Sequence, residues 1–179
     1  SPGNASEVSA KFKKDIGWIN DYKAVIKGNP YGTIHHSLKP YTTSGEAIKI
    51  VPDPTNTPSE FFILEYRKST GNEDWRPDGG LSEEGLLITH FNTRVGIPPT
   101  WSSRRAPYFD PEFADYSDKG EALRGGGTTG VLYPQGDKDS FTPGTSPSSD
   151  LYGNRNSGLY ITDIEIRNGE IHFDVYIDE

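Results

Sequence analysis

Apolar and polar residues change rhythm once along this chain. Over residues 5–17, Val8, Phe12 and Ile16 recur at every fourth position, the spacing of one helix face, with Ser6 placed to cap it and Gly17 to end it before Trp18. Beyond that point the period becomes two. Alternating runs at 23–27, 33–41, 47–51, 61–68, 85–92, 129–133, 159–167 and 170–177 predict strands. Asn168-Gly169 between the last two is a hairpin signature, since both central residues of a type I′ turn need positive φ. One helix followed only by strands and turns predicts a mainly β fold, an antiparallel β-sandwich with long loops and one short N-terminal helix.

Two stretches interrupt the strands. Residues 94–127 hold Pro98-Pro99, Arg104-Arg105, four acidic residues between Asp110 and Asp118, and Gly125-Gly126-Gly127. A connection of that length inside a compact domain is most often functional, stiffened by a bound metal, or disordered. Residues 136–156 are dense in Gly, Pro, Ser and Asp. Strand-like sequence resumes after both, so they read as loops of one domain over 20–179, with the helix of 1–19 in front of it.

Composition narrows the classes of function. Hydrophobic residues make up only 32% of the 179, but 12% are aromatic, so the core is expected to be thin and built on large rings. The longest apolar run is Phe61-Phe62-Ile63-Leu64, far too short to span a bilayer, so no transmembrane segment is expected. A net charge of −8 with no dense Lys/Arg stripe argues against nucleic acid and anionic membranes as partners. With no cysteine, disulfides, thiolate zinc sites and cysteine nucleophiles are excluded. The first residue is not Met and no signal peptide is present, which reads as a processed chain or an excised segment.

Few residues offer chemistry. His35 and His36 are adjacent on a predicted strand, so they point to opposite faces; a three-histidine zinc site would have to join one of them to His90 and His172, and nothing in the spacing favours it. Glu65 and Arg67 share a strand face. They read as a structural ion pair under a loop, with His90 from the neighbouring strand as a further member, or as a general base with His90 or Asp74 as partner. Asp110, Glu112, Asp115 and Asp118 cluster in the first long loop and offer the hard oxygen ligands that Ca²⁺ takes; the simpler alternative is a solvated acidic loop. Asp137 and Asp139 are a poorer second pair. Trp75, Trp101 and Tyr108, with Tyr116 and Tyr152, lie in loops where exposed rings could stack on sugars or else cover small local cores. Asn4-Ala5-Ser6 is a formal glycosylation sequon.

Four segments, taken in order, resemble one family. They are Ser9-Ala10-Lys11-Phe12-Lys13-Lys14-Asp15-Ile16-Gly17-Trp18-Ile19; Phe61-Phe62-Ile63-Leu64-Glu65-Tyr66-Arg67; Asp78-Gly79-Gly80-Leu81 leading to Gly85-Leu86-Leu87-Ile88-Thr89-His90-Phe91; and Leu132-Tyr133-Pro134 through Phe141-Thr142-Pro143, Ser157-Gly158-Leu159-Tyr160-Ile161 and Ile171-His172-Phe173-Asp174-Val175. These are similar to secreted zinc metallopeptidases of the immune inhibitor A type, in the β-rich region downstream of the catalytic domain. The family usually carries an acidic residue where Asn92 stands here, and its H-E-x-x-H zinc helix has no counterpart in this chain.

The resemblance implies a non-catalytic accessory β-sandwich that contributes stability or substrate contact. Residues 1–19 would then close a preceding protease-like domain or dock on the sandwich. Zn²⁺ would belong only to that upstream domain, the partners would be the protease domain and a protein or polysaccharide substrate, and the setting would be secreted or cell-surface and bacterial. Rival readings are a carbohydrate- or surface-binding module and an independent hydrolase built on Glu65, Asp74 and His90. No Gly-x-Ser-x-Gly elbow is present, so no peptide-bond hydrolysis is expected of this chain.

Overall fold

A computed structural model describes residues 10–15, 21–28, 32–68, 83–94, 109–114 and 130–178. They form two sheets. One has the order β1-β3-β4-β5-β6, from β1 (Ala24–Lys27), β3 (Ala47–Val51), β4 (Glu60–Arg67), β5 (Gly85–Asn92) and β6 (Phe109–Pro111). The other has the order β2-β8-β7, from β2 (Ile34–Leu38), β7 (Leu159–Arg167) and β8 (Glu170–Ile177). The chain is mainly β, in a sandwich-like arrangement, with two short helices among the described residues, α1 (Ala10–Asp15) and α2 (Tyr41–Ser44).

The pairing is antiparallel except between β1 and β3, which run parallel. Between them the chain crosses to the other sheet to form β2 and returns through α2, so it enters β3 in the direction in which it ran along β1.

The inner faces meet in one core. Ile48, Ile50, Phe62, Leu64 and Ile88 from the larger sheet pack with Leu38, Leu159, Ile161, Phe173 and Val175 from the smaller. The larger sheet is covered on its other face too, by Ala10 of α1 and Tyr41 of α2 against Ala47, Val51, Phe61, Ile63 and Phe91. Every residue of β4 is therefore buried, which is why its sequence is nearly continuous in apolar residues. In β8 burial alternates strictly, because only one face meets the core.

In β7 the apolar phase slips, from Leu159 and Ile161 to Ile164 and Ile166. A bulge between Thr162 and Glu165, with Asp163 at φ 53°, inserts one residue and keeps all four on the core side.

Several expectations change. The expected helix of 5–17 is described only as α1, the rest lying outside the described residues, as does the side chain of Phe12. The first strand begins one residue later than 23, and the second is Ile34–Leu38, because Pro40 and Tyr41 open α2 instead. No strand forms over 130–133. A single bridge links Leu86 and Tyr133, by bonds of 2.7 and 3.0 Å, and the next donor, the Gln135 amide, turns to the Lys138 carbonyl instead. That bridge needs Gly85, where a Cβ would stand 2.4 Å from the Tyr133 carbonyl oxygen. β6 falls in the stretch expected to be loop, and the turn at Asn168-Gly169 has the positive φ values, 53° and 79°, that a type I′ hairpin requires.

Candidate functional site

At one end of the larger sheet the inner face turns polar. Glu60 pairs with Asn92 and Phe62 with His90 across β4 and β5, so Glu60, His90 and Asn92 continue the row that begins with Phe62 and Leu64. All three are buried.

The Glu60 carboxylate is held on every side. It accepts from Asn92 Nδ2 at 3.3 Å, from the Tyr152 amide at 3.0 Å and from Arg155 Nη2, and His90 Nε2 stands 3.6 Å away. Arg155 also donates to Thr57 Oγ1 at 2.7 Å and to the Tyr152 carbonyl at 3.0 Å. Leu151 and Arg155 close a tight turn on each other, with Gly153 and Asn154 at φ 83° and 56°, and this places Arg155 over Glu60.

The His90 ring lies between two others. Its centroid is 4.3 Å from Phe62 and 4.2 Å from Tyr152, the latter only 4° from parallel. His90 Nδ1 is 3.8 Å from Glu112 Oε1, and His90 faces Asp110 across the β5–β6 pairing. Beside this stack opens a pocket of about 470 Å³, lined by His90, Asp110, Glu112, Asp150, Tyr152 and the hydroxyl-bearing segment 145–148. Tyr152 Oη and Asp150 Oδ1 are buried there with no hydrogen-bond partner among the described residues. Burial, with the charges of Asp110, Glu112 and Glu60, pushes the Tyr152 phenol far above its ordinary pKa, so it stays protonated and can donate.

Burial raises the Glu60 pKa. The neighbouring His90 ring, the bond from the Tyr152 amide and the charge of Arg155 outweigh that effect and hold the carboxyl below its ordinary range. A depressed carboxyl stabilises the fold fully above its unfolded-state value, and that contribution is lost as pH falls through the lower folded value. The melting temperature of Glu60→Gln should therefore lie furthest below wild type near neutral pH, and the gap should close below about pH 4. A gap that stays constant from pH 7 to pH 3 would show that the carboxylate charge contributes nothing.

The residues singled out in the sequence are dispersed. His90 does not join Glu65: Glu65 pairs with Leu87 across the ladder and so occupies the opposite face from His90. Glu65 instead meets Arg67 at 2.8 Å and accepts from the Ala10 amide at 2.7 Å, beneath α1. His35 and His36 do point to opposite faces, His36 onto the Phe173 ring and His35 outward. His90 stands in the other sheet, so the three-histidine set is not assembled.

Asp110 and Glu112 come together at the pocket. Asp115, Asp118, Asp74, Trp75, Trp101, Tyr108 and Tyr116 lie outside the described residues. Asp137 and Asp139 are exposed in a turn away from the pocket. Glu60, Asp150 and Arg155 were not singled out. Glu60 had a cue, a charged residue in phase with inward-facing Phe62 and Leu64; Arg155 had none.

Comparisons with protein-family models, with curated proteins and with solved structures give no match. The likeness to immune inhibitor A-type metallopeptidases therefore rests on the four sequence segments alone.

Proposed function

We propose that this chain is a non-catalytic accessory β-sandwich of a secreted or cell-surface bacterial zinc metallopeptidase, and that it contacts protein substrate through the pocket beside His90. One observation carries the pocket's part: Asp110, Glu112 and Asp150 line a recess beside which the buried Tyr152 phenol and one buried Asp150 oxygen have no partner among the described residues. Buried polar atoms of this kind favour a ligand that supplies donors, and three carboxylates favour a cationic one. The Lys or Arg side chain of a protein substrate has both properties. The Glu60–Arg155 pair and the ring stack hold the pocket wall in place behind it.

Two measurements test this reading. A Lys/Arg-rich peptide titrated into the chain should bind with an affinity that falls as salt rises, and Asp110→Asn/Asp150→Asn should weaken it about 10-fold, as expected for losing charge-assisted bonds. Calcium held by Asp110 and Glu112 would occupy the same carboxylates, so millimolar calcium should compete with the peptide. The chain should also cleave no casein or gelatin, with or without added zinc. Equal peptide affinity in the double variant would end the substrate-contact reading, and zinc-dependent cleavage lost in His90→Ala would make the chain a hydrolase.

A carbohydrate-binding module is the second reading, favoured by the hydroxyl groups of Thr145, Ser146 and Ser148 on the pocket rim. Retardation by soluble polysaccharide in an affinity gel, with no peptide binding, would select it.

A further inference from the structure

We propose that the outer face of the three-stranded sheet carries a metal site, in which His35 and His172 hold a zinc-class divalent cation. The two histidines stand on neighbouring antiparallel strands, where His35 faces Asp174 and Ser37 faces His172. Their side chains lean together: His35 Nε2 and His172 Nδ1 are 3.3 Å apart, with the rings 20° from parallel. Two imidazole nitrogens bound to one tetrahedral zinc at about 2.0–2.1 Å stand roughly 3.3–3.4 Å from each other, so the pair already has the span of a chelate.

The tautomer suits the same end. Asp174 Oδ1 lies 2.8 Å from His35 Nδ1. The carboxylate keeps the proton on Nδ1 and leaves the Nε2 lone pair facing His172, which is how carboxylates behind metal-bound histidines fix their orientation.

A cation already stands at this spot. Arg167 Nη2 is 3.5 Å from His35 Nε2 and 3.4 Å from His172 Nδ1, so both ring nitrogens meet one guanidinium nitrogen. Arg167 Nη1 is also 3.2 Å from Glu165, and the arginine side chain is half exposed. It can swing fully to Glu165 when a metal takes its place, and any proton shared by the two ring nitrogens then passes to solvent. Among the described residues no group of three or more His, Asp and Glu side chains could hold a metal ion, so the site rests on the histidine pair alone. Two positions of the zinc are therefore left to water or to a donor on another molecule, and the ion is held exchangeably. The site lies on the other sheet from the pocket and does not depend on the reading proposed for it.

Zinc titration of the chain by calorimetry is the test, with melting temperature as the control for folding. His35 and His172 lie on the outer face, so their alanine variants should melt close to wild type. Each should lose zinc affinity by 10-fold or more, and Asp174→Asn should lose about 10-fold by freeing the His35 ring. Arg167→Ala should bind zinc more tightly than wild type, because the competing cation is gone. An unchanged affinity in His35→Ala/His172→Ala, or no zinc bound by either wild type or Arg167→Ala, would overturn the site.

Discussion

Glu65→Ala should cost about 3–5 kcal/mol in urea unfolding, the range for removing one partner of a buried ion pair. Both members are shielded, with side chains only 1% and 6% exposed, and they sit among Tyr41, Phe61 and Ile63 on the face that α1 and α2 cover. Without Glu65 the Arg67 charge loses this counterion in an apolar setting, and the Ala10 amide of α1 loses its acceptor. Glu65→Leu/Arg67→Met should recover most of the loss, since a buried pair replaced by apolar groups of like size is often neutral or better. A single-variant cost under 1 kcal/mol would show that the pair is solvated. The same glutamate could be read from sequence as a general base; its surroundings assign it to holding α1 on the sheet.

A cost of about 2 kcal/mol or more is expected for Gly158→Ala, and two separate causes add. Gly158 has φ 63°, where a residue with a Cβ is strained, and that Cβ would stand 2.4 Å from the Asp178 carbonyl oxygen. The approach cannot relax easily, because the Asp178 amide donates to the Gly158 carbonyl at 2.8 Å and fixes the two backbones together. Gly169→Ala supplies the comparison. Its φ is 79° but nothing lies within 4 Å of the added atom, so only the conformational cost of about 1 kcal/mol should be seen. Equal melting temperatures for the two variants would remove the close-approach argument.

How much of this was legible beforehand follows from which forces act locally. The boundaries of β3, β5, β7 and β8 match the expected runs because apolar residues fill each strand and polar or turn residues bound it. Among these four, alternation is strict only in β8, which has one core face. The opposite orientations of His35 and His36, and the shared face of Glu65 and Arg67, follow from the same period. β6 has three residues, one of them proline, and is a strand only because β5 offers it an edge. The bulge in β7 lies inside a run that reads as one alternating strand, although its apolar phase slips from Ile161 to Ile164. The pocket was half visible: His90, Asp110 and Glu112 are types that draw attention, but Glu60 and Arg155 meet across 95 positions of chain, and no local pattern carries that information.

The order β2-β8-β7 has a consequence for how the protein is made. β8 is the middle strand of its sheet, and its Asp174 pairs with His35 of β2 across 139 positions of chain. Until residues 170–177 leave the ribosome, neither β2 nor β7 has its neighbour, and Ile48, Ile50, Phe62 and Leu64 have no layer to face. A nascent chain therefore carries an open apolar sheet from the completion of β5 until β8 emerges, a state that invites chaperone binding. Closure then comes in one late step, slow in the manner of folds built from distant contacts.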